Sequence, residues 1–447
     1  MNRQLEDFLE RHEHLMHEDL QELVAIPSVS DDIENVKKAL EATLDLARKY
    51  GFEARSVLND QVGIIEMGEG DETLGLLAHV DVVPPGDLGQ WTFDPFRAIN
   101  VEGRMYGRGT IDDKGPVIAC LYAMRAVKEL GLPLHKKVQL ILGTQEEVEW
   151  VDMDAYVKEY PLPDYGFTPD DVYPICNIEK GYLDQVMEFD VKDEEGSNDD
   201  GKAYLIALDV GAASNVVPDK AVATLSNGEQ ITARGRSCHS SEPEKGDNAI
   251  FELARILKER DLPHNKLLDL LYDVTEYFSD CKGSKLGLCS ETEYYQGEFV
   301  HRNMQSPTVF KAADGKAELT VNVRFPYGED VNRIIKTFDE WAAQRNGRTA
   351  YTDAQPAVFV SKDSPFLKAF ADAYEDVTDR INEFTLAYGG SYAKAMPNIV
   401  AWGPIFPEEE DTTHSPNEYI DLENMMLSAK MFAEAIATIA LSEQSFK

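Results

Sequence analysis

Cysteine is scarce in this sequence and scattered. The five residues, Cys120, Cys176, Cys238, Cys281 and Cys289, are odd in number and form no CxxC pair. That argues against a disulfide framework and a cysteine-rich zinc knuckle, and predicts free thiols in a reducing compartment. Long apolar runs are missing too: none approaches the ~20 residues a membrane span needs. The opening stretch MNRQLEDFLERHEHLMHEDL lacks the apolar core of a signal peptide, so cytoplasmic residence is predicted. Basic side chains are few, 43 against 81 acidic ones, for a net charge of −38. Such a surface repels nucleic acid and anionic membrane, and neither is expected as a partner. The charge is read first as a solvated surface that maintains solubility, and second as an attraction for cationic substrates. No repeat period or low-complexity tract stands out.

The 447 residues suffice for two or three domains with real cores. Val36, Leu40, Leu44 and Ala47 recur on one helical face, and Gly51 follows as a stop, so 33–50 is predicted as a helix. Two apolar runs come next, Val62–Met67 and Leu74–Val83, then a helix over 116–130 and a strand over 137–143. This alternation predicts an α/β domain with a central, mainly parallel sheet flanked by helices. Ligands of such sheets bind at the carboxyl ends of the strands. The character changes near Gly181. A strand at Leu183–Val191, a polar loop over 193–202 and a partner strand at Tyr204–Val210 are predicted. The alternating Glu318–Phe325 and a helix carrying Val331, Ile334, Ile335, Phe338 and Trp341 follow. These predict an inserted α+β domain over 183–354, between the two parts (1–182 and 355–447) of the first domain.

Chemistry-bearing residues gather at a few points. In LLAHVDVVP (76–84), His79 and Asp81 are two apart, which in a strand places them on one face. There a carboxylate can orient an imidazole that ligates a cation; the plainer reading is a core histidine. In YGRGTIDDKGP (106–116), Asp112 and Asp113 precede a helix, where one carboxylate is explained as a cap more easily than two. In LILGTQEEVEW (140–150), Glu146 and Glu147 end an apolar strand, and adjacent carboxylates there are costly unless solvated or bound to cations. Asp170 and His414 are each weak signals alone. Together, two histidines and three carboxylates make five ligands of the kind zinc accepts, with one carboxylate able to bridge two ions and Glu146 left over as a base.

The order HVDVVPPGD, GRGTIDDKGP, GTQEE, TPD and THSPNEY resembles the ArgE/DapE/aminoacylase/carboxypeptidase-G metallopeptidase family, over nearly the whole chain. WTFDPF (91–96), TIDDKGP (110–116) and WVDMDAYVKEYP (150–161) resemble its PepV-type dipeptidases. The resemblance implies that His79 and Asp170 hold one zinc and Glu147 and His414 the other. Asp112 would bridge them, Asp81 orient His79 and Glu146 act as general base. Asp113 is left as a helix-start or supporting residue. The inserted domain would be an enlarged ferredoxin-like lid, in which His239 of GRSCHSSEPEKGDNA (235–249) stabilises the oxyanion. Asn215, Arg324, Gly390 and Ser391 would bind substrate, Arg324 taking its terminal carboxylate.

The implied activity is hydrolysis of dipeptides or very short peptides with a free amino end, using two Zn2+ per chain; manganese or cobalt suits the same ligands. The enlarged lid implies a monomer. Two other readings stand beside this one: a deacylase of N-acyl amino acids on the same metals, and a non-catalytic zinc- or peptide-binding scaffold.

Overall fold

The computed structural model describes residues 2–194, 201–260, 262–289 and 293–447. Most of the polar loop expected over 193–202 lies outside the described residues. The chain divides into two compact units. The first comprises residues up to Ile178, then Val358–Leu386 and Ser391–Lys447. The second comprises Glu179–Ala357 and Ala387–Gly390.

A nine-stranded sheet organises the first unit. From one edge it runs Glu53–Val57, Val62–Met67, Lys137–Gly143, Thr73–His79, Tyr165–Thr168 and Ile399–Ala401. The last four of these strands are mutually parallel, and the outer pairs on that edge are antiparallel. Thr73–His79 and Lys137–Gly143 are buried along nearly their whole length, as near-continuous apolar runs in a covered parallel sheet must be. Lys114–Glu129 is buried from Lys114 through Met124 and resumes at Ala126, with no polar face to solvate. It packs against the C-terminal helix Leu422–Ala440, and both touch the two central strands. Helices apolar all round need cover on all sides. The helix expected over 116–130 thus begins two residues earlier, at Lys114, and ends at Glu129.

The second unit is α+β. Its seven-stranded antiparallel sheet runs Gln230–Arg234, Lys220–Leu225, Leu205–Val210, Met304–Ala313, Lys316–Phe325, Gly181–Asp190 and Gly347–Gln355. Helices Ala249–Lys258, Lys266–Phe278 and Val331–Ala343 pack on it through Leu253, Leu271, Phe278, Phe338 and Trp341. One expectation fails here. Leu205–Val210 does not partner the strand near 183–191; it pairs with Lys220–Leu225 and Met304–Ala313. Gly181–Asp190 pairs instead with Lys316–Phe325 and Gly347–Gln355. Neighbours in sequence are only a default for pairing, and alternation alone carries no information about which strand lies alongside. Among the described residues no helix is long and apolar enough to cross a membrane.

Candidate metal centre

Three parallel strands of the first unit deliver polar residues from the same end. His79 is the last residue of Thr73–His79 and lies in register with Gly143, the last residue of Lys137–Gly143. Glu146 and Glu147 lie three and four residues beyond Gly143, and Asp170 lies two residues beyond the end of Tyr165–Thr168. Asp112 stands on the turn before helix Lys114–Glu129, and His414 lies on the loop before Tyr419–Asp421.

Those side chains converge. His79 Nε2 lies 3.1 Å from Asp112 Oδ1 and 3.8 Å from Asp170 Oδ2. His414 Nε2 lies 3.0 Å from Asp112 Oδ2 and 3.0 Å from Glu147 Oε2. Ligand atoms of His79, Asp112 and Asp170 fall within 4.8 Å of one another, as do those of Asp112, Glu147 and His414. The two triads share Asp112, one oxygen toward each. His79 Nε2 and Glu147 Oε1 are buried and form no hydrogen bond. A ring nitrogen 3.1 Å from a carboxylate oxygen, yet without hydrogen-bond geometry, points past that oxygen to a common centre. Histidine nitrogens and carboxylate oxygens in two triads, with buried atoms left over, fit divalent cations.

The electrostatics agree with that fit. Burial, then Asp112, pushes the Asp170 carboxyl up to about 8. Burial, then Asp170, raises Glu146 well above the carboxylate range, and burial, then Asp112, raises Glu147. His414 is driven up to about 11 by its hydrogen bonds to Asp112 and Glu147. For His79, burial opposes the charge, but Asp112, Asp81 and Asp170 outweigh it and hold the ring well above its ordinary value. Mutually repelling buried carboxylates that retain protons are what a bound cation relieves. His414 also holds a left-handed backbone, φ 59°, which few non-glycine residues adopt.

The profile of Peptidase family M20/M25/M40 matches residues 75–438. This chain belongs to that family. Among its relatives, the Beta-Ala-Xaa dipeptidase of Lactobacillus delbrueckii subsp. lactis is 31% identical over 472 residues, covering 95% of this chain and 96% of that one. YtjP of Bacillus subtilis (strain 168), which carries a provisional dipeptidase name, is 34% identical over 461 residues, with 94% and 96% covered. Human carnosine dipeptidase 1 has the same fold at a TM-score of 0.62 and 17% identity, with 98% of each chain covered. The di-peptidase Dug1p of Saccharomyces cerevisiae aligns at 0.62 and 15% identity, with 99% of each covered. The protein is therefore a metallopeptidase of family M20/M25/M40.

The supports of this metallopeptidase's centre depart from the sequence reading in several places. Asp81 is not in the strand, which ends at His79. Its backbone carbonyl, 3.0 Å from His79 Nδ1, lies nearer the ring than its carboxylate does at 3.4 Å. The carboxylate also accepts the backbone N–H groups of Glu146 and Glu147 at 3.2 and 3.3 Å, and the Ser30 hydroxyl at 2.8 Å. One buried side chain thus ties the histidine's strand to the double-glutamate turn. Asp113 starts the helix but makes no cap bond; its Oδ2 accepts the His79 N–H at 3.0 Å. Asp152 fixes the same turn from the other side, accepting from Thr144 N at 2.7 Å and from the Tyr392 hydroxyl at 2.8 Å. Gly143 leaves room for Tyr392, whose hydroxyl would lie 2.2 Å from a Cβ there.

Glu418 was not flagged by the sequence, although it lies in the THSPNEY segment. It is fully buried and pairs with Arg108. Its Oε1 accepts N–H groups from Gly109, Ile111 and Asp112 at 2.9, 3.0 and 3.3 Å. Gly109 supplies φ +86° for that turn. Glu418 therefore fastens the loop of Asp112 to the loop of His414. In Glu418→Gln, metal affinity is expected to fall roughly 10–100-fold, the usual loss when a ligand's supporting partner goes. Titration calorimetry reads this directly, and excess metal should restore most of the activity. Unchanged affinity would remove Glu418 from this role.

The remaining candidates belong mainly to the second unit. Asn215 and His239 are neighbours there: the Asn215 carbonyl accepts Ser240 N–H at 2.9 Å, and Val216 bridges His239. Arg324 is buried, stacks 4.7 Å from the Tyr182 ring and donates Nη1 to the Tyr388 carbonyl at 3.0 Å. Gly390 also falls in the second unit, and Ser391 in the first. Ser391 is buried, and its hydroxyl accepts from Ala393 N at 3.3 Å, capping the turn Tyr392–Lys394.

Proposed function

We propose that this metallopeptidase hydrolyses dipeptides or very short peptides with a free amino terminus, using two zinc ions held by His79 and Asp170, by Glu147 and His414, and by a shared Asp112. The observation that carries the reading is Asp112, whose two oxygens each face a different histidine at 3.1 and 3.0 Å. The relatives' names support the substrate class.

When bound, the two ions would lower the pKa of a water and polarise the scissile carbonyl. Glu146 belongs to neither ligand triad and lies beside both. In this proposal its carboxylate takes the proton of the attacking water and passes it to the nitrogen of the leaving amine. Asp81 holds the backbone of Glu146 and Glu147, so base and ligand move together. His239 is suited to an oxyanion. The N–H of Ser241 donates to its Nδ1 at 3.2 Å, which leaves the ring proton on Nε2 as a donor. Burial and Arg324 lower its pKa, so the ring is a neutral donor. Arg324 would take the substrate's C-terminal carboxylate bidentately, with Asn215, Gly390 and Ser391 completing the binding surface. With the C-terminus held there, only short peptides would place their first peptide bond at the ions, and in this reading one chain suffices as a monomer.

Rates on Ala-Ala, N-acetyl-Ala-Ala and N-acetylalanine by the metal-loaded protein test the proposal. Ala-Ala is expected to be cleaved fastest. A preference for the blocked compounds would favour a deacylase on the same centre, and hydrolysis of none would return the chain to a binding role.

A further inference from the structure

Glu146 lies in neither helix nor strand, and both of its backbone polar groups are held by side chains. Asp81 Oδ1 accepts its N–H at 3.2 Å, and the indole Nε1 of Trp150 donates to its carbonyl at 2.6 Å. Two carboxylates hold the turn by accepting N–H groups: Asp81 takes those of Glu146 and Glu147, and Asp152 those of Thr144 and Gln145. A carboxylate cannot hold a carbonyl, which needs a donor. Indole is a donor only, and it brings no charge. A lysine or arginine in that place would be drawn to the Glu146 and Glu147 carboxylates and would compete with cations for them.

The backbone that delivers this donor is a costly one. Trp150 has φ 53° and ψ 26°, the left-handed region, which a bulky residue rarely occupies. Such strain persists only where the surroundings enforce it, and it gathers at functional sites. Trp150 is the N-cap of helix Val151–Glu159, yet its side chain makes no cap bond. Capping therefore does not account for a tryptophan here, and glycine would take the same backbone without strain. Val148 and Val151 on either side are 45% and 43% exposed, whereas the Trp150 ring packs against the core of the first unit. Its centre stands 5.2 Å from the Tyr392 ring, edge to face. Tyr392 is fully buried, its hydroxyl donates to Asp152 at 2.8 Å, and its ring stands edge-on to His79 at 6.2 Å. The indole is thus fixed by the same side chains that fix the turn it holds.

We propose that Trp150 is a positioning residue for the base: its indole N–H, held on the Glu146 carbonyl, sets where the Glu146 carboxylate stands relative to the attacking water. This rests on the reading of Glu146 as general base above. A base displaced by about 1 Å can cost as much as 10²-fold in rate, so one hydrogen bond on its backbone has leverage on kcat.

The test is a double-mutant cycle on Ala-Ala hydrolysis by the metal-loaded protein. Trp150→Phe keeps a ring against Tyr392 and removes the N–H. Its kcat is expected to fall roughly 10–100-fold, with KM and metal content native. In the Glu146→Gln background the same substitution should change kcat by no more than about two-fold, because a residue that acts only through the base has nothing left to position. A merely structural support would lower the residual rate as well. A native rate in Trp150→Phe, equal losses in both backgrounds, or a loss carried by KM or by metal content overturns the proposal. Should Trp150→Phe fail to fold, Trp150→Gly, which suits the left-handed backbone, carries the same cycle, and failure of both variants to fold marks Trp150 as structural and overturns the proposal too. The two levels stay distinguishable. Full activity in Glu146→Gln removes the base and this proposal with it, whereas full activity in Trp150→Phe beside an impaired Glu146→Gln removes only the role of Trp150.

Discussion

Glu146→Gln is expected to lower kcat about 10²–10⁴-fold while its metal content stays native. Glutamine keeps the size of the side chain but cannot accept and return a proton. The ligand set is untouched, because neither triad includes Glu146. The local backbone should also survive, since it is held by Asp81 from one side and by Trp150 Nε1 on the Glu146 carbonyl, 2.6 Å, from the other. Stability gives a second readout with a definite sign. Burial and Asp170 raise the folded-state pKa of Glu146, so the unfolded chain ionises first as pH rises. Above the unfolded carboxylate range Glu146 therefore destabilises the metal-free fold, and the glutamine variant should melt no lower than the native protein at pH 7. A variant that retains both its metal and its full rate would end the assignment of Glu146 as base.

Asp112→Asn should have the widest consequence of any single change at the centre. Its two oxygens belong to different triads, so the substitution weakens both cation sites at once. Affinity should fall by more than the roughly 10–100-fold typical of an outer supporting residue, and at both sites. Calorimetry on the native protein should resolve binding to two sites, and on the variant neither at comparable strength. Thermal denaturation gives an independent check. A ligand at 100 times its Kd stabilises the fold by about 2.7 kcal/mol per site, so chelation should lower the native melting temperature. The same treatment should leave Asp112→Asn nearly unmoved. Loss of one site with retention of the other at native strength would show that Asp112 does not bridge.

The candidate centre was legible in the sequence to an uneven degree. His79, Asp112, the Glu146–Glu147 pair and Asp170 stand in short motifs just past strand ends or at a helix start, where the parallel sheet brings them together, and His414 stands in a short motif on a loop. Their supports were less visible. Ser30 lies 51 residues from the Asp81 carboxylate it donates to, and Tyr392 lies 240 residues from Asp152. Nothing in local spacing links such pairs. Asp81 was flagged, yet the strand ends before it, so its carboxylate is free to turn to the Glu146 and Glu147 N–H groups. Glu418 was passed over because an isolated glutamate in a polar loop has no distinguishing pattern until the backbone of Gly109–Asp112 is folded around it.

By itself the sequence determined the α/β and α+β character of the two parts, the family, and the side chains able to ligate cations. The fold character follows from periodicity and the ligand types from the chemistry of short motifs, which act over a few residues, while the family follows from the resemblance carried by the order of those motifs. Tertiary structure decided which strand lies beside which in the second unit, which atoms of Asp112 face which histidine, and how Glu418 reaches the backbone of Gly109–Asp112. Such relations depend on closing long loops and on burial shared among distant segments, and no local pattern encodes them.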